Sequence, residues 1–163
     1  MLPYADVFTA LDAAGVRYVV VDGVAVVLHG HARMTVDLDL VIDLSAEAAT
    51  SAVDTFLELG FVPRIPVDPH QFADAEVRND WIANKNMQVL SFYDPANPLR
   101  EVDLFARHPV PFEELYAEAT RITTGGVRVR VASVEHLIQM KRAAGRAQDL
   151  ADVDALQSMQ DDE

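Results

Sequence analysis

The sequence predicts an α+β (α/β-like) fold, in which one mixed β-sheet is flanked by helices and closed by two C-terminal helices. Three observations lead there. Strand-like and helix-like segments alternate along most of the chain. Two segments, Val36–Ile42 (VDLDLVI) and Leu99–Phe105 (LREVDLF), alternate at the two-residue period of a strand. The chain then ends in two stretches of helical spacing, Ser133–Ala144 and Ala147–Met159, separated by Gly145.

Each element has its own signal. Tyr4–Ala14 places Val7, Phe8, Leu11 and Ala14 on one helix side, and Gly15 stops it. Arg17–Val21 is β-branched and aromatic, which reads as a buried strand. Asp22-Gly23 reads as a tight turn before a short helix, Val24–His29, that Gly30 ends. In Val36–Ile42 the alternation puts Val36, Leu38, Leu40 and Ile42 on one face and Asp37, Asp39 and Val41 on the other. Ser45 caps a helix running to Leu59, and Gly60 ends it. Between them the prolines 63, 66 and 69 imply a loop, with Phe72–Val77 and Met87–Phe92 read as strands. Asp94–Pro98 is a turn, Pro111 opens a short helix over Phe112, Leu115 and Tyr116, and Gly125-Gly126 turns into a strand at Val127–Val131. In the last helix Leu150, Val153 and Leu156 are expected to face inward. No repeat or linker divides the chain, so residues 1–163 read as one domain with a core over about 16–131 and closing helices over about 133–159.

Composition excludes several classes. There are no cysteines among the 163 residues, so there is no disulfide framework, thiolate metal site or cysteine nucleophile. No apolar run is long enough to span a membrane, and Met1–Asp6 lacks a signal-peptide start; the expectation is a soluble, cytoplasmic protein. The net charge of -13 opposes broad nucleic-acid binding. That charge is uneven: Arg121, Arg128, Arg130, Lys141, Arg142 and Arg146 stand in a window with one acid, Glu135. The pattern fits either a pocket for one anionic ligand or a solvated helix face.

The chemistry concentrates in carboxylates. Asp37 and Asp39 leave one strand face about 6–7 Å apart at Cα. Acids this close repel unless a cation lies between them, and Mg²⁺ (or Mn²⁺) takes carboxylate and phosphate oxygens together. Asp103 stands between apolar strand residues in the same way, so neighbouring strands would put three carboxylates on one face. Two metals held there suit phosphoryl transfer. The competing reading is a solvated sheet face, as for Asp43. What precedes the pair shifts the balance: a strand, Asp22-Gly23, a helix, then Arg33, Thr35, Asp37 and Asp39. A glycine turn opening a helix can present N–H groups to a triphosphate. The five histidines show no paired metal spacing, no Walker A or dinucleotide fingerprint is present, and Trp81 reads either as half-buried packing or as a base-stacking surface.

The stretch VVVDGVAVVLHGHARMTVDLDLVID resembles the motif of the polymerase-β nucleotidyltransferase superfamily, and its H-G-x-x-R-x-T-x-D-x-D arrangement is nearest to the AbiEii-type, toxin-like branch. The tail, Leu137–Arg146 followed by Asp149-Leu150-Ala151-Asp152, is similar to the lysine-bearing closing helices of that branch. The resemblance implies a nucleotidyltransferase core. It makes Asp37, Asp39 and Asp103 the catalytic metal ligands, with Asp103 also helping to deprotonate the attacking hydroxyl. It gives Asp22, Gly23, Arg33, Thr35, Lys141 and Arg142 to the nucleotide and its phosphates; for Lys141 and Arg142 the competing reading is a helix-end charge pair with Asp149 or Asp152. An NTP would be the donor and RNA or tRNA, a protein or a small molecule the acceptor, with an antitoxin protein or a second copy of the chain as partner. Asp22 departs from the family, which has glycine there. A charged side chain at that turn opposes phosphate. Asp22 therefore reads as weakening the triphosphate site, adding a metal ligand or marking a changed donor, and it supports the alternative of a catalytically degenerate protein that binds or regulates.

Overall fold

A computed structural model of the chain describes residues 4–161; Met1–Pro3, part of the N-terminal segment read for a leader, lie outside the described residues. Seven strands form one sheet in the order β3-β4-β5-β2-β1-β7-β6. The strands are β1 (Tyr18–Val21), β2 (Leu38–Ile42), β3 (Val62–Pro63), β4 (Val89–Asp94), β5 (Asn97–Phe105), β6 (Thr120–Thr124) and β7 (Val127–Val131). The helices are α1 (Ala5–Ala13), α2 (Asp22–Leu28), α3 (Ala46–Glu58), α4 (Ala75–Lys85), α5 (Phe112–Ala117), α6 (Val134–Ala144) and α7 (Ala147–Asp161). The sheet is mixed: β2–β5 and β1–β7 are parallel, and the other neighbours are antiparallel. The fold is therefore α+β.

At the sheet centre β1 is buried along its whole length, and Leu38, Leu40, Val41 and Ile42 of β2 are fully buried. These pack with Val7, Phe8 and Leu11 of α1 and with Ala49, Val53 and Phe56 of α3 in one hydrophobic cluster. Burial at a few kcal/mol per large apolar side chain holds these layers together. Ser45 and Ser133 cap α3 and α6 by accepting from the Ala48 and His136 amides.

Several expected elements are corrected. Phe72–Val77 is not a strand: a 3₁₀ turn, Pro69–Ala73, runs into α4. Asp68 and Asp74 cap these two turns through the His70 and Glu76 amides, and local side-chain caps outcompeted the apolar run. Trp81 sits on α4 and is 2% exposed, so it is core and offers no stacking surface. Asp22-Gly23 makes no turn; Asp22 is the first residue of α2. β2 begins at Leu38, and Val36 is exposed instead of facing the core. Ala14 is the exposed C-cap of α1. β6 was not foreseen because TRITT is polar; as an edge strand it needs no apolar face, and the positive-φ pair Gly125-Gly126 closes its hairpin with β7.

The largest correction concerns α7. Leu150 is 50% exposed, and the inward face carries Asp149, Asp152, Val153 and Leu156. This is an i, i+3, i+4, i+7 face, turned so that two aspartates meet the buried amine of Lys141.

Candidate active site

The acids come together because β2 and β5 run parallel in register, Asp39 opposite Asp103 and Leu38 opposite Val102. The period of two then puts Asp39 with Asp103 and Asp37 with Glu101 on one sheet face. Carboxylate oxygens of Asp37, Glu101 and Asp103 lie within 4.8 Å of one another. Glu101 was not singled out from the sequence, although the Glu-x-Asp alternation of β5 carried the signal. Its carboxylate pairs with Arg64.

This concentration of acid makes ionisation costly. Burial, and then the charges of Asp22, Asp103 and Asp37, push the Asp39 carboxyl up to about 9. Burial, with the Glu101 hydrogen bond and charge, raises Asp37 to about 6. Burial raises Asp103, and the Glu101 charge adds to it. Asp103 Oδ1 is buried with no hydrogen-bond partner among the described residues. The oxygen donors of Asp37, Asp39 and Asp103, with ionisation suppressed and one acceptor orphaned, fit a hard divalent cation.

Beside the acids lies a second charged cluster. Lys141 is 3% exposed, and its Nζ pairs with Asp22 Oδ1 at 2.5 Å, Asp152 Oδ2 at 2.8 Å and Asp149 Oδ1 at 3.4 Å. Arg33 Nε meets Asp152 Oδ1 at 3.3 Å, Arg146 Nε meets Asp149 Oδ2 at 2.6 Å, and Arg146 Nη2 lies 3.9 Å from Asp22 Oδ2. Burial alone would lower the Lys141 amine, but its bonds to Asp152 and Asp22 outweigh that and raise it. Burial would raise Asp149, but Arg146 and Lys141 hold it below the usual range. Three cations therefore face three carboxylates. The basic window of the sequence does not reach the site as free positive charge: Arg121, Arg128 and Arg130 belong to the β6–β7 hairpin, and Arg142 is exposed and lines neither site cavity.

Asp22 has φ +60, the left-handed conformation that favours glycine. A glycine would adopt this backbone without strain, whereas Asp22 adds a side chain and a charge there. A Cβ at Gly23 would stand 2.5 Å from Thr35 Oγ1 and would also collide with Arg33 Nη1. Gly23 thus admits Arg33 and Thr35 against the start of α2; its open side is not bare backbone.

Two cavities flank Asp39. One, of about 430 Å³, is polar and reaches Asp22, Gly23, Arg33, Thr35, Asp37, Asp103 and Lys141. The other, of about 450 Å³, lies between α6 and the β4–β5 pair, with Val21, Val89, Phe105, Leu137, Met140 and Ala144 as walls and the amides of Gln88 and Gln139 at its edge. Asp22, Asp39, Lys141, Arg146 and Asp149 border both.

No protein-family model matches this chain, and no curated protein does. Solved structures do. The lincosamide antibiotic adenylyltransferase LnuA, solved with lincomycin bound, superposes with a TM-score of 0.60 at 14% identity over 94% of this chain and 95% of its own. An antigenic nucleotidyltransferase-like protein from Paracoccidioides brasiliensis gives 0.56 at 20% identity, over 93% of this chain and 72% of its own. A Thermotoga maritima protein assigned to the nucleotidyltransferases gives 0.57 at 14% identity, over 96% and 89%. At these identities the likeness shows the fold alone, which this chain shares with those three proteins.

Proposed function

We propose that the protein is a metal-dependent nucleotidyltransferase that moves an NMP group from an NTP to the hydroxyl of a small-molecule acceptor. One observation carries the reading: Asp39 and Asp103 stand opposite each other on registered strands, with Asp37 just before β2 within reach of Asp103, beside a cluster holding Lys141, Arg33 and Arg146. Asp37, Asp39 and Asp103 would hold Mg²⁺ or Mn²⁺, which when bound neutralises charge on the phosphoryl group in transfer. Arg33, Thr35 and Lys141 line the polar cavity and would bind the phosphates. The acceptor oxygen bonds to the α-phosphorus as the bond to pyrophosphate breaks, and Asp103 takes up the hydroxyl proton.

The acceptor class follows from charge and shape. The cations at the site are matched by carboxylates, and the chain carries -13 overall, so the site itself offers no free positive track for a polynucleotide. The cavity of about 450 Å³ is mostly apolar and opens to Asp39, the size and character of a small organic ligand's site. The lincomycin-bound state of LnuA places a lincosamide among the acceptors to test.

The experiment incubates the protein with each labelled NTP and Mg²⁺, offering total RNA, a protein extract, or small molecules including lincosamides. Asp39→Asn is the inactive control. Transfer to small molecules is expected. Label on RNA would instead favour the toxin-like branch and its antitoxin partner. NTP binding without transfer to any acceptor would favour the degenerate binding protein.

A further inference from the structure

Asp37 lies outside the strand that carries Asp39. β2 begins at Leu38, and its first partner on β5 is Val102. No ladder rung fixes the chain at the level of Asp37 and Glu101. The structure puts a side chain there instead. Tyr4, the residue before α1, is 2% exposed. Its hydroxyl donates to the Val36 carbonyl at 2.6 Å and accepts the Glu101 amide at 3.3 Å, with the Glu101 carbonyl 3.1 Å away. The Val36 carbonyl belongs to the peptide that precedes Asp37, and the Glu101 amide to the peptide that precedes Glu101. One hydroxyl therefore joins the two peptide groups from which these carboxylates spring.

The ring is itself held. The Arg100 guanidinium lies 5.7 Å from its centroid and pairs with Asp6 at 2.7 Å and Asp94 at 3.3 Å. The Val7 and Phe8 amides both bond the Tyr4 carbonyl, so the tyrosine is locked to the first turn of α1.

We propose that Tyr4 is a positioning residue of the metal site: its hydroxyl replaces the missing β2–β5 rung and sets Asp37 against Glu101 and Asp103. This rests on the reading of Asp37 and Asp103 as metal ligands. Hydrogen bonds of this kind hold metal-binding carboxylates in place, and losing such a support typically lowers affinity tenfold or more. The phenol hydroxyl both accepts and donates here; phenylalanine fills nearly the same space and does neither.

The test compares wild type, Tyr4→Phe and Phe8→Leu in the full chain, with Mn²⁺ alone as probe. Phe8 is buried on α1 and touches neither acid strand's backbone through a hydrogen bond. Three quantities are measured: melting temperature, Mn²⁺ affinity by paramagnetic resonance, and metal-free hydrogen exchange of the Glu101 amide. Tyr4→Phe is expected to weaken Mn²⁺ binding by about tenfold and to speed Glu101 exchange, with a smaller loss of melting temperature than Phe8→Leu. Phe8→Leu is expected to keep wild-type Mn²⁺ affinity. Unchanged Mn²⁺ affinity in Tyr4→Phe overturns the proposal, as does an equal loss in Phe8→Leu, which would mark a general stability effect. Failure of wild type to bind Mn²⁺ refutes the metal reading itself and is distinct from either result.

Discussion

Replacing Asp22 by glycine tests how the charged cluster answers a phosphate. Lys141 is held by three carboxylates, so a phosphate that uses its amine must displace one. Asp149 and Asp152 are 2% and 0% exposed in their side chains, whereas Asp22 is 33% exposed, which makes it the one to yield. Removing it frees one bond on Lys141 and takes a negative charge from the phosphate cavity. Two unit charges about 4 Å apart interact by about 4 kcal/mol at an effective dielectric of about 20. Most of this is offset because Asp149 and Asp152 still hold the amine. The expected net gain is about tenfold in NTP affinity, or about 1.4 kcal/mol. Stability should change little. Glycine relieves a left-handed residue that costs roughly 1–2 kcal/mol. Against this stand its backbone entropy of about 0.5–1 kcal/mol and the lost ion pair. The assay is calorimetric titration of NTP at saturating Mg²⁺, with Asp22→Asn alongside. Asparagine tolerates the left-handed backbone but carries no charge, so it should reproduce most of the gain. Weaker NTP binding in both variants would refute the reasoning and make Asp22 a ligand of the metal or nucleotide.

Four further outcomes are expected. Asp37→Ala/Asp39→Ala should abolish the Mg²⁺ or Mn²⁺ binding that wild type shows by calorimetry, and identical titrations would remove these acids from the metal site. Metal affinity should rise between about pH 5 and 9 with proton release, because the cation displaces protons held by Asp37, raised to about 6, and Asp39, raised to about 9. The same shifts give the sign for metal-free stability: the folded state holds more protons than the unfolded one, so the melting temperature should fall as pH rises from about 4 to 9, and added Mg²⁺ should reverse the fall. Lys141→Met leaves Asp149 and Asp152 buried against fewer cations and should cost about 3–5 kcal/mol in chemical denaturation, whereas Arg142→Ala, at an exposed position, should change stability by less than about 0.5 kcal/mol.

Much of this molecule is legible from residue order, because its signals are local. The β-branched run at Tyr18–Val21, the alternation around Asp39 and Asp103, and the serine caps at 45 and 133 depend on neighbours a few residues away. Local reasoning failed where two local signals competed, as at Phe72–Val77, where aspartate caps made helix from a strand-like run. It failed again at Thr120–Thr124, whose strand exists only because β7 lies beside it.

By itself the sequence determined the sheet-and-helix class and that Asp39 and Asp103 are turned the same way on their strands, since spacing in a strand decides which carboxylates share a face. Only the tertiary structure decided the partnerships. The β2–β5 register brings Glu101 to Asp37, and Tyr4 reaches from α1 to tie their backbones. The rotation of α7, against the apolar pattern that favoured Leu150, turns Asp149 and Asp152 inward and decides for Lys141 between the charge pair and the phosphate that the sequence leaves open. One physical reason is common to the Tyr4 ties and the Lys141 pairs. A buried charge or orphaned polar group must find its partner in space, and that partner stands 8 to 119 positions away along the chain, from Lys141–Asp149 to Lys141–Asp22.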